Sequence, residues 1–509
     1  MASGVRVRIA PSPTGFLHLG TARTAIYNWL FARKHGGVLI LRIEDTDFQR
    51  SSQAMVQGII DGLKFLRVEP DEGPFFQSDF AEQHLVAAHQ LIEDGKAYYD
   101  FTPKAATGSQ EWVKGPLVDK DRIANRVKAE AEAGKRRNPY RDLPLEEAKR
   151  RRAAGESAAI RLKVPEEGVV SFLDGVYGPQ EVNCNNIEDL VLVRSDGTPL
   201  YNLSVVVDDI EMRISHVIRG QDHLTNTHKQ VLIYQALDKP IPKFAHLPLI
   251  FAPSKEKLSK RKHGEIVSIT TYRDRGFLPD ALFNFLALLG WSPGTDEEIM
   301  SRDALIERFS LEGVNRASAV FNFTDQGGRD WTDPKALWMN GEYIKNMPVQ
   351  ELIPLVEPFL QRAGLWREEY ETTLHQWLIG TIDLLRARYR TLADFAGLGR
   401  PYFSDDFSME PAAVKKNLEK EGLGDILLGL ADRLALLSDF SHDAVESTLR
   451  RYADERGVKL GLLANASRTA LTGQSVGPGV FEIFLIMGRE RSVERLRRAA
   501  SLSDLGAES

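Results

Sequence analysis

Residues 5–43 constrain the fold more than any other stretch of the chain. Val5, Val7 and Ile9 alternate with Arg6 and Arg8, which is the period of a β-strand. Pro11-Ser12-Pro13-Thr14-Gly15 then forces a loop, because two prolines and a glycine suit neither regular form. Over 20–34 the pattern turns helical, with Ala25, Ile26, Trp29 and Leu30 on one apolar face and Gly36-Gly37 as the stop. Residues 38–43 are apolar apart from Arg42, as expected of a central parallel strand. Strand, loop, helix, strand is a βαβ unit, so a doubly wound α/β domain opens the chain.

Helical patterns follow over 51–66 and 76–95. From 102 to about 156 the sequence is polar, charged and short of branched apolar residues, and strand-like pieces return at 159–164, 168–173 and 190–193. The block 101–199 is therefore expected to be an insertion that splits the sheet, which resumes as strands at 201–209 and 214–219. After 334 no strand pattern survives. Helical periodicity over 349–363, 370–395, 411–437 and 443–457 predicts an all-α last third. The fold class is α/β: a Rossmann-like parallel sheet, interrupted by an inserted domain and followed by helical domains.

A chain of 509 residues, 43% apolar and 27% charged, has the balance of a soluble globular protein with several domains. Its net charge of −6 argues mildly against nucleic acid, but a local basic face is enough to bind one. Two candidate faces exist, Lys135, Arg136, Arg137, Arg141 and Lys149 through Arg152, and Arg489, Arg491, Arg495, Arg497 and Arg498. A solvated helix surface is the commoner explanation for each. The single cysteine, Cys184, excludes an intramolecular disulfide and a multi-cysteine zinc site, and reads as a buried small hydrophobe in a reducing, cytoplasmic setting. The first residues carry no secretory pattern. The longest apolar stretch, 281–291, is too short to span a bilayer, contains Asn284 and reads as a buried helix, so no membrane association is expected.

The chemistry gathers in two distant loops. His18-Leu19-Gly20-Thr21 stands at the mouth of the first helix, where free N–H groups and a partial positive charge favour phosphate. Gly20 has no side chain to hold a nucleotide away from the backbone, and His18 can donate to phosphate oxygens. Alone, this is a surface turn. Far downstream, Lys257-Leu258-Ser259-Lys260-Arg261-Lys262 makes a basic loop that can close over a triphosphate and neutralise departing pyrophosphate.

That pair resembles a class I aminoacyl-tRNA synthetase. Arg8-Ile9-Ala10-Pro11-Ser12-Pro13-Thr14-Gly15, Arg42-Ile43-Glu44-Asp45-Thr46-Asp47, Val217-Ile218-Arg219-Gly220 and Trp338-Met339-Asn340-Gly341 narrow the resemblance to the bacterial glutamyl branch, over essentially the whole chain. The resemblance implies ATP-dependent attachment of L-glutamate to tRNA-Glu through a glutamyl-adenylate. It assigns His18, Gly20, Lys257 and Lys260 to catalysis, with Thr14 and Ser259 also on ATP. It places Arg8 and Arg219 on the substrate carboxylates, Glu44 on the ammonium, and Ser12 and Tyr201 in the same pocket. Magnesium would arrive with ATP. The protein is expected to act as a monomer. The implied domains are a catalytic domain in two halves (1–100 and 200–250), an acceptor-binding insertion (101–199), a stem-contact domain (251–334) and two helical anticodon-binding domains (335–405 and 406–509). Arg388 falls where an arginine of the family reads the third anticodon base, which implies the discriminating form. A non-discriminating enzyme and a non-catalytic tRNA-binding protein are the alternatives, the latter opposed by intact His18, Gly20, Lys257 and Lys260.

Two departures stand out. Gln221 replaces the usual glutamate after Arg219-Gly220, so no role is carried onto it. Tyr98-Tyr99-Asp100-Phe101 lacks the cysteines with which many relatives hold zinc, so no structural zinc is expected. The segment 321–333 is also longer than usual, and nothing in the sequence accounts for it.

Overall fold

A computed structural model describes residues 4–13, 15–45, 52–103, 138–323 and 331–505. Thr14, Thr46, Asp47 and the basic residues Lys135 to Arg137 lie outside the described residues, as does most of the segment 321–333. The chain forms two compact units: 1–272 with 282–333, and 273–281 with 334–509.

In the first unit the expected βαβ opening is present. Strand β1 (Arg6–Ile9), helix α1 (Leu19–Lys34) and strand β2 (Val38–Ile43) follow in order, and β2 pairs in parallel with β1 from Arg6↔Val38 to Ile9↔Leu41. Helix α2 (Gln53–Phe65) leads to β3 (Glu72–Phe76), which adds in parallel beyond β2. Helix α3 (Ala81–Glu93) then runs into a separate antiparallel sheet of β4 (Ala97–Asp100), β5 (Ala159–Leu162) and β8 (Val191–Val193), with helix α4 (Leu145–Ala153) before β5.

Between β5 and β8 the chain returns to the main sheet. The hairpin β6 (Val169–Asp174) and β7 (Gly178–Asn183) pairs through Asp174 with Phe244 of β10 (Lys243–Leu247). Strand β10 lies parallel to β9 (His216–Gly220), and helix α6 (Leu224–Ala236) connects the two. The two halves meet where Ser215, just before β9, donates its N–H to Arg6 O at 2.9 Å and accepts Arg6 N–H on its hydroxyl at 2.8 Å. Two sheets, ordered β1-β2-β3 and β7-β6-β10-β9, thus abut at β1 and β9. The junction of β1 and β9 is a topological switch point, where loops leaving the carboxyl ends diverge and open a crevice.

One expectation fails. Residues 201–209, read as a returning strand, form helix α5 (Tyr201–Glu211). The run Val205-Val206-Val207 is β-branched and looks strand-like, but Leu203, Val206, Val207 and Ile210 recur at helical spacing. Burial against the sheet overrides the weak propensity penalty. Cys184 is buried in the same core. The apolar stretch near 281–291 is the helix Pro279–Leu288, and Asn284 is satisfied at Oδ1 by the Met300 N–H at 2.9 Å.

The second unit is helical throughout its described residues after 334, from Pro334–Asn346 to Val480–Leu505, around one large apolar core. Its Trp338-Met339-Asn340-Gly341 motif is structural. Asn340 accepts Leu278 N–H at 2.8 Å and donates to Arg390 O at 2.6 Å, and a Cβ on Gly341 would lie 2.6 Å from the Arg390 guanidinium. Among the described residues no helix is long and apolar enough to cross a membrane.

Candidate active site

Two rims of the crevice carry the two loops found in the sequence. His18 caps α1: its Nδ1 accepts the Thr21 N–H at 3.2 Å. A Cβ on Gly20 would lie 3.3 Å from that imidazole, so the glycine keeps the helix mouth open beside the ring. The second loop folds back on itself: Ala252 N–H reaches Glu256 O at 2.8 Å and Leu258 N–H reaches Ile250 O at 2.9 Å. This turn presents Lys257, whose ammonium lies 2.7 Å from Asp222 Oδ2, just past β9. The main chain stitches the rims together where Ile269 N–H meets Leu17 O at 3.0 Å. Crowding by protein, then the nearby Lys257 charge, lowers the His18 pKa against the opposing pull of Asp222. Burial pushes the Asp222 carboxyl up, but Lys257 overrides it and holds the group below its ordinary value. Ser259 continues the loop: His263 Nδ1 accepts its N–H at 3.2 Å. Lys260 opens a short turn of helix, and its side chain lies outside the described residues.

Beneath the crevice is a buried ionic floor. Arg8, on β1, places Nε 3.2 Å from Asp209 Oδ1, and Arg42, on β2, places Nη1 2.7 Å from the same oxygen. Arg42 also lies 3.4 Å from Glu44 and 3.6 Å from Asp208. Asp208 takes Gln77 Nε2 and His84 Nε2, each at 2.6 Å. Both aspartates come from α5, so reading that helix as a strand concealed the groups that hold the site arginines. Burial raises the Glu44 pKa, and the Arg42 and Arg8 charges pull it back only in part.

Arg219 differs. It is buried on β9, with Nη2 2.7 Å from both Thr227 Oγ1 and Gln230 Oε1, Nε 3.3 Å from His246 Nε2 and Nη1 3.5 Å from the Tyr201 hydroxyl. Among the described residues it has no carboxylate within ion-pair distance. Burial foremost, and the Arg8 charge, lower its pKa against the pull of Tyr201. Beside it, burial and the Arg219 charge depress His223 to about 4, so that ring is neutral at pH 7. Tyr201, whose hydroxyl lies 3.1 Å from His223 Nδ1, bridges the two groups. Ser12 is exposed on the loop after β1, and the adjoining Pro11 O accepts Glu44 N–H at 3.0 Å. The structure therefore gathers Arg8, Glu44, Tyr201 and Arg219 into one cluster whose charges act on one another, and brings His18 near Lys257. Sequence reasoning missed Asp209, Asp222, Thr227, Gln230, His246 and Asp174. Gln221 has a structural partner, the Tyr177 hydroxyl, which it accepts.

Residues 4–325 match the family described as class I tRNA synthetases (E and Q), catalytic domain, and residues 351–500 match an anticodon binding domain. The chain belongs to this synthetase family. Within it, the chain is 48% identical to a glutamate–tRNA ligase of Desulfotalea psychrophila, over 98% of this chain and 99% of that protein. It is 44% identical to a glutamate–tRNA ligase of Koribacter versatilis, over 99% of each. A crystal structure of the glutamate tRNA ligase of Elizabethkingia meningosepticum, in complex with its amino acid, superposes with a TM-score of 0.81 at 30% identity, covering 98% of this chain and 99% of that one. Among the described residues the crevice supplies His, Lys, Arg and Gly, groups suited to positioning and charge neutralisation.

In the second unit of this synthetase Arg388 is exposed, just after the helix His375–Arg386, and forms no ion pair among the described residues. The described residues of the two basic stretches are largely paired within their own surroundings. Arg141 pairs with Asp189, Lys149 with Glu93 at 2.9 Å and Arg151 with Glu156 at 2.5 Å. Arg495 meets Asp405 at 2.5 Å and Arg497 meets Asp432 at 2.8 Å.

Proposed function

We propose that the chain activates L-glutamate with ATP and attaches it to tRNA-Glu, releasing AMP and pyrophosphate. The observation that carries this reading is Arg219, a buried guanidinium held by neutral groups, in the same cluster as the largely covered carboxylate of Glu44. Glutamate offers two carboxylates and one ammonium, and the pocket offers Arg8 and Arg219 against Glu44. A guanidinium fork prefers a carboxylate to a carboxamide, which disfavours glutamine.

The α-carboxylate is ionised at pH 7, so it attacks the α-phosphorus of ATP without a general base. The new carboxylate–phosphorus bond forms as the bond to pyrophosphate breaks. His18 and the amide N–H groups at the mouth of α1 hold phosphate oxygens, with Thr14 and Ser259 on the same nucleotide. Lys257 and Lys260 neutralise the departing pyrophosphate, and Lys257 must first leave Asp222. Magnesium enters as part of the ATP substrate. A terminal ribose hydroxyl of tRNA then attacks the glutamyl carbonyl, and AMP leaves.

On the same reading the block 101–199 grips the acceptor end, 251–334 contacts the stem, and the helices of 335–405 and 406–509 bind the anticodon. Arg388, exposed and without an ion-pair partner among the described residues, reads the third anticodon base and restricts charging to tRNA-Glu. Cytoplasmic residence and action as a monomer belong to this reading and are checked by fractionation and light scattering. The decisive experiment is aminoacylation with glutamate and with glutamine against tRNA-Glu and tRNA-Gln. Only the pair of glutamate with tRNA-Glu should give product, and Arg388→Ala should relax the choice of tRNA. Equal charging of tRNA-Gln by the wild type would remove Arg388 from this role, and no product with glutamate on either tRNA would end the reading.

A further inference from the structure

Arg219 leans on His246, and His246 leans on Asp174. The three come from neighbouring strands β9, β10 and β6, where His246 stands opposite Arg219 and Phe244 opposite Asp174. They are 5%, 0% and 2% exposed, so no water competes for their contacts. Asp174 Oδ1 accepts the N–H groups of Val176 and Tyr177, each at 2.9 Å, and that of His246 at 3.3 Å. Its Oδ2 lies 2.5 Å from His246 Nδ1. Burial pushes the Asp174 carboxyl up, but the bonds from His246, Tyr177 and Val176 outweigh it and hold the group ionised.

An ionised carboxylate only accepts, so the proton between Asp174 and His246 sits on Nδ1. Burial first, together with the charge of Arg219, disfavours a second proton on the ring against the pull of Asp174. In a neutral ring with Nδ1–H, Nε2 is an acceptor. It faces one fixed donor, Arg219 Nε at 3.3 Å, and the Thr227 hydroxyl at 2.9 Å, whose single proton has His246 Nε2 and, at 3.2 Å, His223 O within reach. Thr227 Oγ1 in turn accepts Arg219 Nη2 at 2.7 Å. The guanidinium is thereby held from Nε and Nη2, which leaves Nη1, 3.5 Å from the Tyr201 hydroxyl, as its least tightly held nitrogen.

We propose that Asp174 and His246 are positioning residues for amino-acid recognition: Asp174 fixes the Nδ1–H tautomer of a neutral His246, whose Nε2 orients the Arg219 fork toward the substrate carboxylate. This rests on the reading of the cluster of Arg8, Glu44, Tyr201 and Arg219 as the glutamate pocket. A His–Asp pair that merely ties β6 to β10 needs Nδ1–H too, but is indifferent to a second proton on Nε2. The orienting role requires Nε2 to be bare.

Asp174→Asn separates the two. The carboxamide keeps an oxygen for the backbone N–H groups but presents NH2 to His246 Nδ1. The ring must then carry its proton on Nε2 and turn a donor against the Arg219 donor. With saturating tRNA-Glu, KM for glutamate should rise roughly ten- to hundredfold, the scale of losing an orienting partner behind a binding group. KM for ATP and the thermal midpoint should stay near wild type. An unchanged KM for glutamate, or equal losses for glutamate and ATP, would overturn the proposal. Should the variant fail to fold, nitrogen-15 NMR of histidine-labelled wild type decides, with the His246 signals assigned through His246→Gln. A neutral ring with Nδ1–H is expected, and an Nε2–H or doubly protonated ring would refute it. This ring reading needs no turnover, so it stands apart from failure of the glutamate reading, which would show instead as a wild type inactive with glutamate.

Discussion

Arg8 and Arg42 share one carboxylate, and that sharing sets what each residue tolerates. Asp209 is 4% exposed between two guanidiniums. Replacing it by Asn leaves two buried positive charges without their common partner, and breaking buried pairs of this kind costs about 3–5 kcal/mol. Denaturation of Asp209→Asn should show this loss in the catalytic unit, and a loss below about 1 kcal/mol would mean that Asp208 and Glu44 suffice for both arginines. Glu44 gives a pH signature. Its pKa is raised by burial, so its ionisation as pH rises through the raised value works against the fold, while binding the substrate ammonium requires that ionisation. kcat/KM for glutamate should therefore fall with decreasing pH along a limb lying above the ordinary carboxylate value. The limb should vanish in Glu44→Gln, and its persistence there would assign it to another group. The arginines and Glu44 were legible because their motifs are contiguous. Asp209 was not, because it lies 201 residues from Arg8 and nothing local to either residue announces the pairing.

At the scale of elements, the period of Val and Leu positions decided which segments could be read. Strands β1 and β2 show clean patterns: β1 alternates apolar residues with arginines up to a Pro-rich loop, and β2 is an apolar run, broken only by Arg42, that opens after Gly36-Gly37. Helix α5 does not, since a β-branched run at the centre of a helix buried along most of its length has the composition of a central strand. Helix α2 carries a consequence that its amphipathic pattern also hid. A Cβ on Gly62 would come 2.9 Å from Leu17 Cβ, and one on Gly58 2.3 Å from the Phe16 ring, so two glycines let the helix lie directly against the loop that delivers His18. Overpacking of this kind costs roughly 1–3 kcal/mol or forces a shift. Gly62→Ala should push Leu17 and weaken ATP use, read as a raised KM for ATP in aminoacylation with KM for glutamate little changed. Wild-type kinetics for both substrates would show that Leu17 repacks without moving His18.

At the scale of the whole molecule, a net charge of −6 and the pairing with nearby acids of most described residues in the basic stretches leave little diffuse attraction for nucleic acid from those residues. Recognition of tRNA then falls to local contacts. On the family reading, glutamate activation requires bound tRNA, so ATP–pyrophosphate exchange should be negligible without tRNA-Glu and robust with it. Exchange at full rate in its absence would overturn that coupling. The all-helical character after 334 was legible from the change of periodicity, whereas the grouping of 273–281 with those helices and the return of β6 and β7 to the main sheet were not, because pairing and packing across a long excursion leave no local trace. The neutral cradle of Arg219 bears on how such a pocket can diverge. The charges of Arg8 and Arg42 are answered by aspartates of α5 and are bound up with folding, so drift there is penalised whatever the substrate. Among the described residues position 219 is hydrogen-bonded by Thr227, Gln230, His246 and Tyr201 and paired with no acid, so exchanging it for an uncharged hydrogen-bonding residue would leave none of them an unpaired buried charge. Ancestral or laboratory change of amino-acid preference therefore has an open route through position 219 and a closed one through position 8.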